Sequence, residues 1–418
     1  MNYNDARNYI TDAGKYGSVL GLGSITELMN RLGNPQDTQR YVHIAGTNGK
    51  GSTITYIDAI LRRAGYKIGR YMTPAVFEYR EEFCIDGRMI SEESYARIMT
   101  EVSLVADDME RDGLPHPTSF EMETALAFVY FAENNCDLVL LETGMGGETD
   151  ATNIVKNTLC SVITTISLDH MKFLGNTIED IAKVKAGIIK RDSTVVVSNQ
   201  DESVIEVIKK KAVEMNSEFY IATPYIERRL SMTGSYQQNN SVTAEQVVTV
   251  LISKGFRGII RDTVDCIEEG LTEAFLPGRF ETISTNPLII IDGAHNPGAV
   301  SRLIDSINDK FTNKKVTFIM GVLADKDYST EAKMIFARDS KVITVTTSGI
   351  RGLSAEKLAE TLGQYCDNVV ASNSLEEAVK LAKEDVTNGN ADMVIAFGSL
   401  SYLGELKRIV VGEHNENR

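Results

Sequence analysis

YVHIAGTNGKGSTITYIDAILRRAGY, residues 41–66, is the stretch whose reading decides the fold. YVHIA is an aromatic and β-branched run that suits a buried strand. TITYIDAILRRAGY sets Ile54, Ile57, Leu61 and Ala64 on one helical face. Between them lies a loop with glycines at 46, 49 and 51. In that order, strand, glycine turn and helix turn backbone N–H groups and a helix N-terminus toward an anion. Lys50 can reach terminal phosphates, and Ser52 or Thr53 can hold a phosphate oxygen or Mg²⁺. The alternative, a glycine-rich turn with no ligand, leaves the lysine among the glycines without a purpose. The loop is irregular. A Walker loop closes with Lys followed directly by Ser or Thr, whereas Gly51 separates Lys50 from Ser52 here. The loop implies a nucleoside triphosphate and leaves the reaction open.

Outward from this unit, β-rich runs alternate with helical patterns. KIGRYM (67–72) ends at Thr73-Pro74, DLVLLE (137–142) runs into GMGG, LCSVITTIS (159–167) ends in Leu168-Asp169-His170, and STVVVSN follows at 193–199. Helices are expected around EMETALAFVYFAEN (121–134) and IEDIAKVKAGIIK (178–190). After Pro287 the alternation restarts with LIIIDG, KVTFIMGV, KVITVTT and DMVIAFG, interleaved with helices around AVSRLIDSINDKF, SAEKLAETLGQY and LEEAVKLAKEDV. Such alternation predicts an α/β protein with largely parallel sheets. At 418 residues the chain is too long for one ordinary core. We expect a P-loop ATPase domain at 1–284 and a smaller Rossmann-like α/β domain at 285–418, divided in the polar stretch STNP.

The formal charge of −15, from 43 basic and 58 acidic residues, argues against a general nucleic-acid or membrane-surface binder. No run of about 20 apolar residues is present to span a bilayer. The N-terminal MNYNDARNYI lacks a basic segment followed by an apolar one, so no signal peptide is expected. Five scattered cysteines, none in a CxxC or Cys/His cluster, read as free thiols in a reducing compartment, and the expected location is the cytoplasm.

Ligands of parallel sheets gather outside the carboxyl ends of strands. Glu142, Thr73, Asp169-His170 and Asp292 with Gly293, Ala294, His295 and Asn296 stand at such ends. Glu142 can hold Mg²⁺ beside the loop in the manner of a Walker-B acid, or merely cap the loop that follows. A histidine after a strand is commonly structural, yet His170 and His295 are two of only five in the chain. Lys183, Lys185 and Lys190 read, on periodicity alone, as a solvated helical face. Arg279 fits either a phosphate held at a domain junction or a surface ion pair.

Taken together, AGTNGKGST, LLETGMGGETDATN, SLDHMKFLG with IAKVKAGI, GSYQQNN, PGRFE and DGAHNPGA resemble, in order and spacing, the folylpolyglutamate synthase/dihydrofolate synthase family, relatives of the muramyl ligases. The resemblance covers nearly the whole chain and accounts for the Lys-Gly-Ser ending. It implies an ATP-dependent ligase in which the γ-carboxylate of a reduced folate takes the γ-phosphoryl group of ATP, and the amine of L-glutamate then displaces phosphate. By the resemblance, Gly46, Thr47, Asn48, Gly49, Lys50, Gly51 and Ser52 cradle the phosphates, with Asn240, Arg279 and Asp292 as further ATP contacts. Ser52, Thr73, Glu142 and His170 serve Mg²⁺, and Lys185 matches a lysine whose carbamate holds a second Mg²⁺. His295 and Ser399 match positions of the incoming glutamate. Phe120, Glu121, Asp150 and Ala151 match positions near the pterin. A monovalent cation is compatible with the family, and a monomer is its expectation.

The chain departs from the family at Thr73–Val76 (Thr-Pro-Ala-Val for Ser-Pro-His-Leu) and at Glu148-Thr149 (for Arg-Leu). Both departures fall on the pterin side and lean toward polyglutamylation alone. The alternatives are a bifunctional enzyme that also joins dihydropteroate to the first glutamate and, from another class, a P-loop kinase or regulatory NTPase. The latter has no need of a second α/β domain bearing DGAHNP.

Overall fold

In the computed structural model, which describes residues 1–17, 21–223, 227–256, 263–347, 349 and 351–416, the chain forms two compact units. One comprises Met1–Ile166, His170–Arg229 and Gln238–Ala274, and the other Ser167–Asp169, Leu230–Gln237 and Phe275–Arg418. No described helix is long and apolar enough to cross a membrane.

The first unit is built on an eight-stranded sheet of β1 (Tyr41–Ala45), β2 (Ile68–Tyr71), β3 (Phe83–Ile85), β4 (Arg88–Met89), β5 (Leu138–Glu142), β6 (Thr158–Ile163), β7 (Thr194–Ser198) and β8 (Glu218–Ala222), in the order β4-β3-β2-β5-β1-β6-β7-β8. The pairs are parallel except β2–β3 and β3–β4. β1 is buried throughout, which a continuous apolar run requires of a central strand. Its register sets Ile44 beside Glu142 of β5 and Ala45 beside Ile163 of β6, so three strands end level with one another.

The glycine loop leaves that edge and enters the helix Lys50–Arg63. The four residues expected to face the core are buried, but so are all ten from Ser52 to Leu61. The reason is a second cover. The helix Thr263–Glu273 packs so closely that a Cβ on Gly270 would lie 2.7 Å from the backbone of Ile60. The helix Ser119–Glu133 is likewise buried almost all round, with Phe128 and Phe131 at 0 % exposure. Each such ring contributes roughly 1.5–3 kcal/mol by burial.

The second unit holds β9 (Glu281–Thr285), β10 (Leu288–Ile291), β11 (Val316–Met320), β12 (Lys341–Thr344), β13 (Asn368–Ala371) and β14 (Met393–Phe397), ordered β13-β12-β11-β14-β10-β9. Only β9 runs antiparallel, paired with β10 across a turn at Asn286-Pro287. The α/β class and the two mainly parallel sheets agree with the expectation from sequence. Edge strands β8 and β13 escape a pattern-based reading, because they are mostly exposed and carry little apolar signal.

Candidate active site

At the edge where β1, β5 and β6 end, the glycine loop is fixed on the outside and open in its conformation. Thr47 and Asn48 donate their N–H groups to the Thr165 carbonyl at 2.9 and 3.0 Å. Gly49 has φ +89° and caps the helix Lys50–Arg63, a conformation that costs any residue with a Cβ. A Cβ there would also meet Asn240 Oδ1 at 2.4 Å, so the Asn240 amide lies directly over the loop. At Gly46 a Cβ would fall 1.8 Å from Thr164 Oγ1.

Charge gathers on this loop. Lys50 Nζ donates to the Gly46 carbonyl at 3.2 Å and lies 3.6 Å from Glu142 Oε1. Lys185 Nζ reaches the same carbonyl at 2.8 Å. Lys185 is only 5 % exposed, which overturns the reading of its helix as a solvated face. That face is divided instead. Lys183 is exposed. Lys190 is half-buried against Asn153 (2.7 and 2.8 Å), and burial pushes its ammonium down to about 8. Two lysines on one carbonyl, one of them beside a buried carboxylate, form a site that attracts phosphate and tolerates a divalent cation. Among the described residues no group of three His, Cys, Asp or Glu side chains forms a metal cage. One carboxylate plus hydroxyls such as the buried Ser52 is the donor set that suits Mg²⁺ carried in with phosphates.

Thr73 follows β2 in a loop tied down by two acids. Ala75 N–H donates to Glu82 at 2.8 Å, and the N–H groups of Val76 and Phe77 donate to Glu81. Glu82 is buried, and desolvation pushes it up to about 8. His170 follows β6 with φ +50° and starts the short helix Met171–Leu174.

The segment after Glu142 is packed backbone to backbone. A Cβ on Gly144 would lie 2.5 Å from the Phe120 ring, and one on Gly147 would lie 2.8 Å from the Val184 and Lys185 carbonyls. Asp150 accepts from Met145 N at 2.8 Å, Thr152 N at 3.0 Å and Thr152 Oγ1 at 2.5 Å. Burial raises its pKa against these bonds. It caps the turn Ala151–Ile154, and Ala151 is buried. Glu121 closes a capping box with Thr118 and accepts Ile25 N–H at 3.1 Å. The carboxyls of Asp150 and Glu121 are thus engaged in holding backbone. Sequence reasoning passed over His43, which lies in β1 at 0 % exposure with Nε2 2.8 Å from Thr152 Oγ1. Burial holds its imidazole down to about 3.

In the second unit, β10, β11 and β14 also end together. Gly398 N–H donates to the Ala294 carbonyl at 2.8 Å, and a Cβ on Gly398 would lie 2.5 Å from the Gly321 carbonyl. Ser399 is therefore adjacent to the turn Asp292–Asn296. Asp292 fixes that turn by accepting from Tyr236 Oη (2.7 Å), Phe280 N (2.8 Å) and Ala294 N (2.8 Å). Burial raises its pKa. The Arg279 guanidinium lies against Gly293, where a Cβ would meet Nη1 at 2.3 Å. His295 Nδ1 is 2.7 Å from the Gly293 carbonyl, and its Nε2 is 4.0 Å from Asp169. Desolvation, with the Lys326 cation next, holds this imidazole down to about 4. Asp169 accepts from Lys326 Nζ at 2.8 Å and from Asn296 Nδ2 at 3.3 Å. Lys326 was missed from sequence because it lies in a loop with no periodic signal.

Comparison with known proteins gives two family matches, the Mur ligase middle domain at residues 44–250 and the Mur ligase glutamate ligase domain at residues 278–400. The chain is 32 % identical to the folylpolyglutamate synthase of Lacticaseibacillus casei, covering 99 % of each. It is 30 % identical to the dihydrofolate synthase/folylpolyglutamate synthase of Bacillus subtilis, over 97 % of this chain and 98 % of that one. A solved FPGS–AMPPCP–folate complex matches with a TM-score of 0.82 at 30 % identity, over 98 % of this chain and all of that one.

Proposed function

This chain belongs to the folylpolyglutamate synthase/dihydrofolate synthase branch of the Mur ligase family, and from that premise we propose how its residues divide the work. It is an ATP-dependent ligase that adds L-glutamate to folate and uses ATP with Mg²⁺. The observation that carries the residue roles is the convergence of Lys50 and Lys185 on the Gly46 carbonyl, beside Glu142.

A carboxylate is a poor electrophile, and phosphorylation supplies a leaving group. The γ-carboxylate of the folate's terminal glutamate attacks the γ-phosphorus of ATP, releasing ADP. The amine of L-glutamate then attacks the acyl carbon, phosphate leaves, and the amine proton passes by way of His295 to solvent. Gly46 to Ser52 and Asn240 cradle the phosphates. Lys50 meets the negative charge that spreads over the transferring group. Ser52, Thr73, Glu142 and His170 would hold Mg²⁺, with Lys185 as a carbamate for a second ion. Bound there, the metal would neutralise charge on the phosphate oxygens. Arg279 and Asp292 serve the nucleotide. His295 and Ser399 serve the incoming glutamate, where a neutral imidazole can accept a proton from the amine. Phe120, Glu121, Asp150 and Ala151 border the pterin. Five free, buried cysteines support a reducing, cytoplasmic setting, and we take the working form to be a monomer.

The test is product mass. With MgATP, L-glutamate and tetrahydrofolate, products should rise in glutamate increments, and dihydropteroate should give none. Glutamate added to dihydropteroate would establish the bifunctional reading. ATP turnover indifferent to folate and glutamate would overturn both.

A further inference from the structure

The pterin-side acids differ in what is left of them. Both oxygens of Glu121 accept from backbone N–H or the Thr118 hydroxyl, both oxygens of Asp150 are bonded, and Glu82 holds Ala75 N–H. Glu123 is different. No hydrogen bond to its carboxyl exists among the described residues, and its one ion pair, with Arg7 Nη1, is long at 4.0 Å. Its side chain keeps 12 % of its accessible surface, so the carboxyl is largely desolvated without being sealed. Burial pushes it up to about 8, with the Arg7 cation acting against that.

Its position is specific. On the helix Ser119–Glu133, Glu123 lies one turn after Phe120 and therefore on the same face. Phe120 covers Gly144, two residues past Glu142, and stacks on Tyr71 with centroids 6.4 Å apart. Thr124, next to Glu123, has Oγ1 3.5 Å from the Tyr71 hydroxyl. Burial raises the Tyr71 phenol, with the nearby Glu123 and then Glu82 charges adding to it. An aromatic wall and an unbonded carboxyl thus share one surface of the first unit.

We propose that Glu123 is the specificity-determining residue for the pterin ring, its carboxyl accepting hydrogen bonds from the exocyclic amine and the adjacent ring N–H while Phe120 flanks the ring face. This rests on the folate reading given above. A pterin presents two donors side by side at that edge; bonding to them favours the ionised carboxyl, whose two oxygens then match them in spacing and polarity. A site built to bond a donor rejects the analogue lacking it, because the buried acceptor is then stranded.

The experiment compares kcat/KM for tetrahydrofolate and for its analogue with methyl in place of the exocyclic amine, at saturating MgATP and glutamate. The wild-type protein should favour tetrahydrofolate by about 10-fold or more. In Glu123→Leu and in the near-isosteric Glu123→Gln that preference should fall to about 3-fold or less. The loss should appear in the KM for tetrahydrofolate, with the KM for ATP unchanged. Melting temperatures identify a variant that fails to fold, in which case the other decides. If both folded variants keep the wild-type preference, the assignment of Glu123 is wrong although the ligase reading stands. If the wild-type protein turns over no ATP with folate and glutamate, the ligase reading itself has failed.

Discussion

Replacing Gly49 with alanine tests the phosphate loop most directly, because two separate costs can be worked out. The first is conformational. Gly49 holds φ +89°, and a left-handed backbone costs a residue with a Cβ roughly 1–2 kcal/mol. The second is steric. The new Cβ would lie 2.4 Å from Asn240 Oδ1, so the amide must retreat by nearly an ångström. Asn240 is 4 % exposed, and its retreat strains or breaks a buried hydrogen bond, at roughly 0.5–1.5 kcal/mol. The sum is about 1.5–3.5 kcal/mol, or roughly 10- to 400-fold in affinity. The loop can shed this cost by leaving its anion-binding shape, so the loss should appear in nucleotide binding more than in the melting temperature. Titration calorimetry with a non-hydrolysable ATP analogue at fixed Mg²⁺ measures it. In an Asn240→Ala background the steric part disappears and Gly49→Ala should cost only the conformational part, about 1–2 kcal/mol. Affinity within 3-fold of wild type for the single variant would refute the loop geometry. An equal cost in both backgrounds would refute the role of Asn240.

Two further perturbations follow from buried groups. Lys185→Ala should abolish ligation and be rescued in part by small carboxylates in solution, read as ADP released per amide formed; full activity without rescue would remove the carbamate from the account. His43 is neutral in the folded protein, held down to about 3, whereas the unfolded chain takes up a proton near 6.5. Stability from this residue is therefore present at neutral pH and lost as pH falls below 6.5, by about 2 kcal/mol at pH 5. Urea unfolding of the wild type against His43→Gln should show their difference shrinking by that amount between pH 7.5 and pH 5, and a constant difference would contradict the burial of the imidazole.

The central strands, the helix after the loop and the restart of the α/β pattern near residue 288 were legible because burial on both faces forces continuous apolar runs. The loop was legible because glycine and lysine side by side have few other uses. Asn240, Lys185 and Glu142 are far apart in sequence, and no local pattern could bring them to one loop, where they meet Gly49, the Gly46 carbonyl and Lys50 respectively. The family resemblance could name them and could not say which contact each makes. It also grouped Glu121 with Phe120, where the folded chain turns Glu121 to Thr118 and Ile25 and leaves Glu123 on the aromatic face.

By itself, the sequence determined a two-sheet α/β chain with a triphosphate loop after its first central strand, since periodicity and glycine placement are local properties of the backbone. Tertiary structure alone decided which charges are buried and what they touch. Lys185 is a phosphate-loop group and Lys183 a solvated one, two residues apart on the same helix, because burial depends on which neighbours the rest of the chain brings to each face.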